Sequence, residues 1–212
     1  MTNWGYENTY FIPNGVETNN FSINNSLNDE FSVLYTGRLT KGKGADNLLE
    51  IIQYINENLD IKNIKFIICG SGPLKNLVEK TAKKYDNVQY LGFVPPKNFP
   101  SVYANSDLFL IPSKSEGMPL RLLEAQSSGL PVVGSNIPGI TDVITDSNQG
   151  TLVDIGDIKG FATVIKNYQN LWTSSPKKYQ HLKSSIREKT TKKYDWTITI
   201  NKLEQMFIET CQ

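Results

Sequence analysis

Cysteine and histidine are scarce: 212 residues contain only Cys69, Cys211 and His181. Two cysteines build no disulfide framework, and a single histidine excludes a multi-histidine metal site. Cys69 ends the apolar run 66–69 and reads as a small buried hydrophobe. His181 lies in a polar helical stretch without a nearby partner and reads as a surface residue. No apolar run approaches the ~20 residues needed to span a bilayer, and the polar opening Met1-Thr2-Asn3-Trp4-Gly5 is no signal peptide. A soluble, cytoplasmic chain is expected. An excess of one charge is lacking too: 22 Lys+Arg stand against 21 Asp+Glu. This balance argues against the uniform basic field used for unspecific nucleic-acid binding. There is no internal repeat and no low-complexity tract.

Core material is present. At 39% hydrophobic residues, wholesale disorder is excluded, and the length fits one α/β domain with a helical extension. Residues 1–30, rich in Asn, Ser and Thr, read as a linker segment with a turn at Pro13-Asn14-Gly15. Strands are predicted over 31–35, 65–69, 88–91, 108–111, 131–133 and 151–153, and helices over 45–58, 73–84, 96–104 and 120–128. Strands alternating with helices imply right-handed crossovers and a Rossmann-like, doubly wound parallel sheet, spanning 31–157. The stretch 158–212 reads as helices over 159–172, 177–189 and 196–211. The last carries Ile200, Leu203, Phe207 and Ile208 at a spacing that predicts one buried face.

Such a sheet binds ligands beyond the carboxyl ends of its strands, which directs attention to four loops. Gly37-Arg38-Leu39-Thr40-Lys41-Gly42-Lys43-Gly44 nearly matches the P-loop G-x-x-x-x-G-K-S/T, but Gly44 stands where a hydroxyl would hold Mg²⁺. A flexible loop with two cations before a helix N-terminus suits a diphosphate; the alternative is a turn with solvated charges. Gly70-Ser71-Gly72-Pro73 permits close backbone approach but lacks a third fingerprint glycine and by itself reads rather as a tight turn, with Pro73 at the first helical position. Gly92-Phe93-Val94-Pro95-Pro96 offers backbone groups and an apolar wall to a base, or is a turn. The fourth stretch runs Ser115-Glu116-Gly117-Met118-Pro119-Leu120-Arg121-Leu122-Leu123-Glu124-Ala125. With Pro119 as the first helical residue, the amides of Leu120 and Arg121 lie between two carboxylates, Glu116 and Glu124. Those are donors for anionic oxygens flanked by acceptors for diols. The plainer alternative is that both glutamates merely complement the helix dipole.

Together these motifs resemble the C-terminal, donor-binding domain of retaining GT-B glycosyltransferases of the glycosyltransferase family 4 type. The similarity runs from Ile12-Pro13-Asn14-Gly15-Val16 to about Asp157, and Tyr194-Asp195-Trp196 resembles the start of the family's closing helix. Its marks are E-x7-E (Glu116 and Glu124), the strand after Gly129-Leu130-Pro131, the Gly37, Arg38, Lys43, Gly44 loop, and the Gly70-Ser71-Gly72-Pro73 and Leu91-Gly92-Phe93 turns. The resemblance implies a nucleoside-diphosphate sugar as donor, UDP-linked by preference, bound without a metal or other cofactor. Arg38 and Lys43 would hold the diphosphate and stabilise the leaving nucleotide. Glu124 would accept the ribose hydroxyls, and Glu116, with Gly117, Met118 and Leu120, would orient the sugar at its anomeric carbon. Phe93 and Val94 would border the base, with Gly37, Gly70 and Gly72 lining the site. Met118-Pro119 and Arg121 depart from the family's usual aromatic-glycine pair and aliphatic residue.

A GT-B enzyme has two such halves, and this sequence matches one. The resemblance therefore implies a retaining hexosyltransferase of glycan or polysaccharide biosynthesis, inactive alone. Its acceptor (glycan, lipid-linked or protein) would be bound by an amino-terminal half that is a missing domain or a separate subunit. The sequence would then be an isolated domain, a gene remnant or a subunit of a split enzyme, cytoplasmic or peripheral at the inner membrane face. Two other readings stay open. One is a non-catalytic docking module that uses the helices from Trp172 to Cys211; the other is a P-loop NTPase dependent on Lys43.

Overall fold

Short runs of β-branched and aromatic residues form six strands: β1 (Phe31–Thr36), β2 (Ile64–Cys69), β3 (Val88–Gly92), β4 (Leu108–Ile111), β5 (Val132–Ser135) and β6 (Gly150–Val153). The helices are α1 (Ala45–Asn58), α2 (Lys75–Lys84), α3 (Phe99–Ala104), α4 (Leu120–Ser127), α5 (Ile158–Ser174), α6 (Pro176–Tyr194) and α7 (Trp196–Thr210). The computed structural model describes residues 10–24 and 29–210; much of the expected linker segment, and Cys211, lie outside the described residues.

The strands make one all-parallel sheet in the order β3-β2-β1-β4-β5-β6, the Rossmann order. Alternation along the strands divides the core. Phe31, Val33 and Tyr35 of β1 and Leu108 and Leu110 of β4 pack with α1, α2 and α5. Leu34 and Phe109 turn to the other face and pack with α3 and α4. Each fully buried Phe or Leu contributes roughly 1.5–3 kcal/mol, so both layers are needed. Cys69 lies in the second layer, and burial pushes its thiol up to about 12, which keeps it protonated and inert.

The helices after 157 are woven into both layers. Phe161, Ile165 and Trp172 of α5 share the core of β1, with Phe31 and Trp172 ring centroids 5.7 Å apart. The α6 helix passes from one layer to the other: Tyr179 packs with Phe31 and donates to the Asp107 carbonyl at 2.6 Å, while Tyr194 joins the second core.

Three expectations change. Pro73 does not start a helix; the Leu74 amide is claimed by the Leu39 carbonyl at 3.0 Å, so α2 begins at Lys75. Pro119 is the extended cap before α4 rather than its first residue, and its carbonyl accepts the Leu122 amide. The apolar stripe of α7 is not buried: Ile200, Phe207 and Ile208 are exposed, and only Thr199 is fully covered. Contacts at its two ends hold α7: Trp196 N–H donates to the Val16 carbonyl, Thr199 to that of Pro13, and Tyr10 to Glu209 at 3.0 Å. No helix among the described residues is long and apolar enough to cross a membrane.

Candidate functional site

At the β1–β4 pair the chain leaves in two directions, to α1 on one face and α4 on the other, which opens a crevice beyond the strand ends. Two cavities lie along it. The smaller, about 320 Å³, is lined by Thr36 and Gly37 from the end of β1, Ser113 from beyond β4, and Lys43, Glu116 and Met118. The larger, about 630 Å³, is lined by Glu17, Pro96, Lys97, Phe99, Glu124 and Trp196. Leu120 and Arg121, the first turn of α4, line both.

The loop after β1 is shaped by Tyr35, whose hydroxyl lies 3.2 Å from the Arg38 carbonyl and 3.1 Å from that of Lys43. Burial, then the Glu116 and Asp46 charges, raises its pKa, so it stays a neutral donor. The loop's amides at the helix start are already spent: Lys43 N donates to Thr40 Oγ1, Gly44 N to the Lys41 carbonyl and Ala45 N to the Thr40 carbonyl. These three donors are therefore consumed by the turn that forms the helix end, and the cations remain.

Lys43 reaches across the crevice. Its Nζ donates to Glu116 Oε2 at 2.7 Å, while Ser113 Oγ donates to Oε1 at 2.8 Å. The Glu116 side chain is 8% exposed and that of Lys43 42%. Glu116 is thus held in place, and Lys43 has room to turn to another anion. The backbone at 116–118 is braced from two sides. Gly139, at φ +82°, brings its Cα so close to the Gly117 carbonyl that no side chain fits, and Asn14 donates from its amide to Met118 Sδ and from Nδ2 to the Met118 carbonyl. Free donors do exist at α4: the amides of Leu120 and Arg121 have no hydrogen-bond partner among the described residues.

Glu124 stands one turn further on. Its Oε2 accepts from Arg121 Nη1 at 2.7 Å and from the Tyr103 hydroxyl at 2.9 Å. Burial, then Glu124 itself, raises the Tyr103 phenol well above its ordinary value and keeps that donor in place. The Arg121 guanidinium stacks 3.7 Å over the Phe99 ring.

The structure therefore brings Gly37, Lys43, Glu116, Met118 and Leu120 round one cavity and places Glu124 on its neighbour. Arg38 is exposed, on the same loop, with no ion pair or side-chain hydrogen bond among the described residues. Gly70 and Gly72 line neither cavity. A Cβ on Gly70 would strike the Gly37 carbonyl, and one on Gly72 the Leu39 backbone, so these glycines let two loops nest. Phe93 is 74% exposed and Val94 is buried under it; neither lines a cavity, whereas Pro96, Lys97 and Phe99 just after them do. Sequence reasoning missed Asn14, Tyr35 and Ser113. Ser113, three residues before Glu116 in one loop, was the one with a local signal.

Comparison with known proteins agrees with this fold. The family model described as "Glycosyl transferases group 1" matches residues 16–189. An Escherichia coli UDP-Gal:alpha-D-GlcNAc-diphosphoundecaprenol alpha-1,3-galactosyltransferase is 29% identical over 93% of this chain and 53% of its own length. A Staphylococcus aureus capsular polysaccharide biosynthesis glycosyltransferase is 28% identical over 74% of this chain and 44% of its own. Among solved structures, a Thermosynechococcus elongatus sucrose-phosphate synthase superposes with TM-score 0.80 at 22% identity, over 97% of this chain and 53% of that one. S. aureus TarM, solved with UDP among its ligands, gives TM-score 0.80 at 24% identity, over 96% and 40%. The chain spans about half the length of these relatives. With a family model covering most of its length and a Rossmann-like sheet superposing on GT-B enzymes, the chain belongs to the group 1 glycosyltransferases and is a domain of the family 4-like type.

Proposed function

We propose that this domain binds the nucleotide-sugar donor of a retaining glycosyltransferase, a UDP-sugar by preference. The observation that carries the reading is the 2.7 Å pair of Lys43 and Glu116 beside the amides of Leu120 and Arg121, which have no partner among the described residues. One crevice thereby offers a cation and free N–H donors to a diphosphate and a fixed carboxylate to sugar hydroxyls. The nucleoside takes the larger cavity, with its ribose on Glu124, and the diphosphate bridges the α4 amides to Lys43 and Arg38. The sugar lies against Glu116.

Transfer breaks the bond between the anomeric carbon and the β-phosphate oxygen, and the electron pair leaves with the nucleotide. Lys43 and Arg38 stabilise that developing charge. The acceptor oxygen bonds to the same face of the carbon, and its proton passes to the departing phosphate oxygen, giving retention. The relatives' greater length and the exposed stripe of α7 support an acceptor-binding half supplied by further chain or by a partner. The domain alone then binds donor without transferring it.

Calorimetric titration with UDP and UDP-sugars tests this. Saturable binding is expected, and K43A or R38A should weaken it about 10- to 100-fold, as loss of a charge-assisted hydrogen bond worth ~1.5–3 kcal/mol implies. E116Q should spare UDP but reduce the extra affinity of the sugar. No binding of any nucleoside diphosphate, or binding indifferent to both cations, overturns the proposal.

A further inference from the structure

Arg121 sits at the junction of the two cavities, and its position constrains what lies beside Glu124. One of its five N–H donors goes to Glu124 Oε2. Phe99 covers one face of the guanidinium, so the remaining donors project edgewise. Both cavities count Arg121 in their walls, and besides Glu124 and the Tyr103 hydroxyl no group among the described residues engages the fork. Glu124 Oε1 accepts nothing among the described residues, and Glu124 lines the larger cavity beside Arg121. A carboxylate oxygen that only accepts and a guanidinium that only donates thus stand side by side at one wall.

We infer that Arg121 is a specificity residue which selects the base of the donor by reading its sugar-side edge. The inference rests on the donor reading above, in which the ribose hydroxyls meet Glu124. Beside the ribose 2′-hydroxyl a base presents pyrimidine O2 or purine N3, both acceptors, and guanine alone adds a 2-amino donor there. Arg121 pairs with the acceptors. Against guanine it sets donor against donor in a site shielded by Phe99, and that leaves polar groups unpaired. Uracil is accepted through its O2, and guanine is rejected at its 2-amino group.

Inosine diphosphate isolates that atom, since it is guanosine diphosphate without the 2-amino group. Affinities of UDP, IDP and GDP are measured by calorimetry on the wild-type chain, on R121M and on R121Q, with melting curves to confirm folding. Wild type is expected to bind UDP and IDP about tenfold or more tighter than GDP, as one mismatched base-edge contact implies. In R121M the IDP-to-GDP ratio falls towards one, and in R121Q, which keeps a shorter donor, it falls part of the way. Equal affinity of wild type for IDP and GDP overturns the inference, as does a ratio that survives R121M. An equal gain for all three nucleotides in R121M also overturns it, because Arg121 would then be a plug competing for Glu124. No nucleotide binding to wild type at all overturns the donor reading itself, a different result from any of these.

Discussion

Gly44 shows how one residue both forbids one chemistry and permits another. Its φ of +68° and the Pro112 carbonyl, which a Cβ would overlap, leave room for glycine only. The hydroxyl that a P-loop needs at this position is therefore excluded by packing, and the same close approach holds the Lys43 loop against the end of β4, where Glu116 follows. Gly42, two residues earlier, has open space around its Cα and no such φ. G44A is expected to cost about 3 kcal/mol or more, a fall in Tm of roughly 6–12 °C. G42A should stay within about 0.5 kcal/mol of wild type. Thermal melts followed by circular dichroism check both; equal tolerance would show that the loop does not depend on this contact. Glu116, Glu124 and Lys43 were legible in the sequence because each lies in a spaced local motif. Tyr35 and Asn14 were not, since one is a strand residue like its neighbours and the other meets Met118 from 104 residues away. Gly70 and Gly72 are placed at the site by the resemblance alone; by themselves they read first as a tight turn, and the structure shows them letting two loops nest.

Elements were legible where one period dominates. The strand at 108–111 is apolar throughout and buried throughout, and the sequence reading and the structure agree on its ends. The sequence predicts only 177–189 of α6, because its buried face carries Lys183 and Thr190 beside Tyr179, Ile186 and Tyr194, a pattern without strong amphipathicity. The connection from β5 to β6 was unread: Ile137, Ile140, Val143 and Ile144 cover the sheet from turns rather than a regular helix. At the other end, the α6–α7 junction is clasped to the segment before β1. Val16 N donates to the Tyr194 carbonyl at 2.8 Å, and Asp195 accepts from Thr18 Oγ1 and, through Oδ1, from Thr197 N and Oγ1. The hydrogen bond from Thr18, then that from Thr197, holds the Asp195 carboxyl below its ordinary value. Because the folded-state pKa is depressed, the clasp's contribution is complete above the unfolded value near 3.8 and fades as pH falls through the folded one. Protection of the Trp196 and Thr197 amides, read by hydrogen–deuterium mass spectrometry as exchange relative to the intrinsic rate at each pH, should fall on acidification below about pH 4 in wild type. D195N should show the lowered protection already at pH 7. Identical exchange in the two proteins at both pH values would remove Asp195 from this role.

Across the whole molecule, polar chemistry and unmet apolar surface lie on neighbouring parts of one side. Trp196 lines the larger cavity and also begins the α7 stripe that continues through Ile200, Leu203 and Phe207, at i, i+4, i+7 and i+11. Four residues at that spacing share one helix face, and Phe207 and Ile208 are 59% and 62% exposed. Phe11 and Tyr10 add exposed apolar area beside the far end of the helix, where Tyr10 meets Glu209. A contiguous apolar patch of this kind marks an interaction surface rather than a solvated one. Left uncovered, it drives weak association. Sedimentation velocity over a wide concentration range should show a rising weight-average mass for the wild-type chain. The double variant F207E/I208S should be monomeric throughout while keeping the nucleotide affinity of wild type, since neither residue touches the cavities. A wild type that is monomeric at every concentration would mean that this stripe is not adhesive. Association together with loss of nucleotide binding in the double variant would instead show that α7 supports the donor site, through Trp196, and is no separate surface. The two properties are separable if Trp196, the one residue of the stripe that lines a cavity, keeps its place when Phe207 and Ile208 at the far end of α7 are changed.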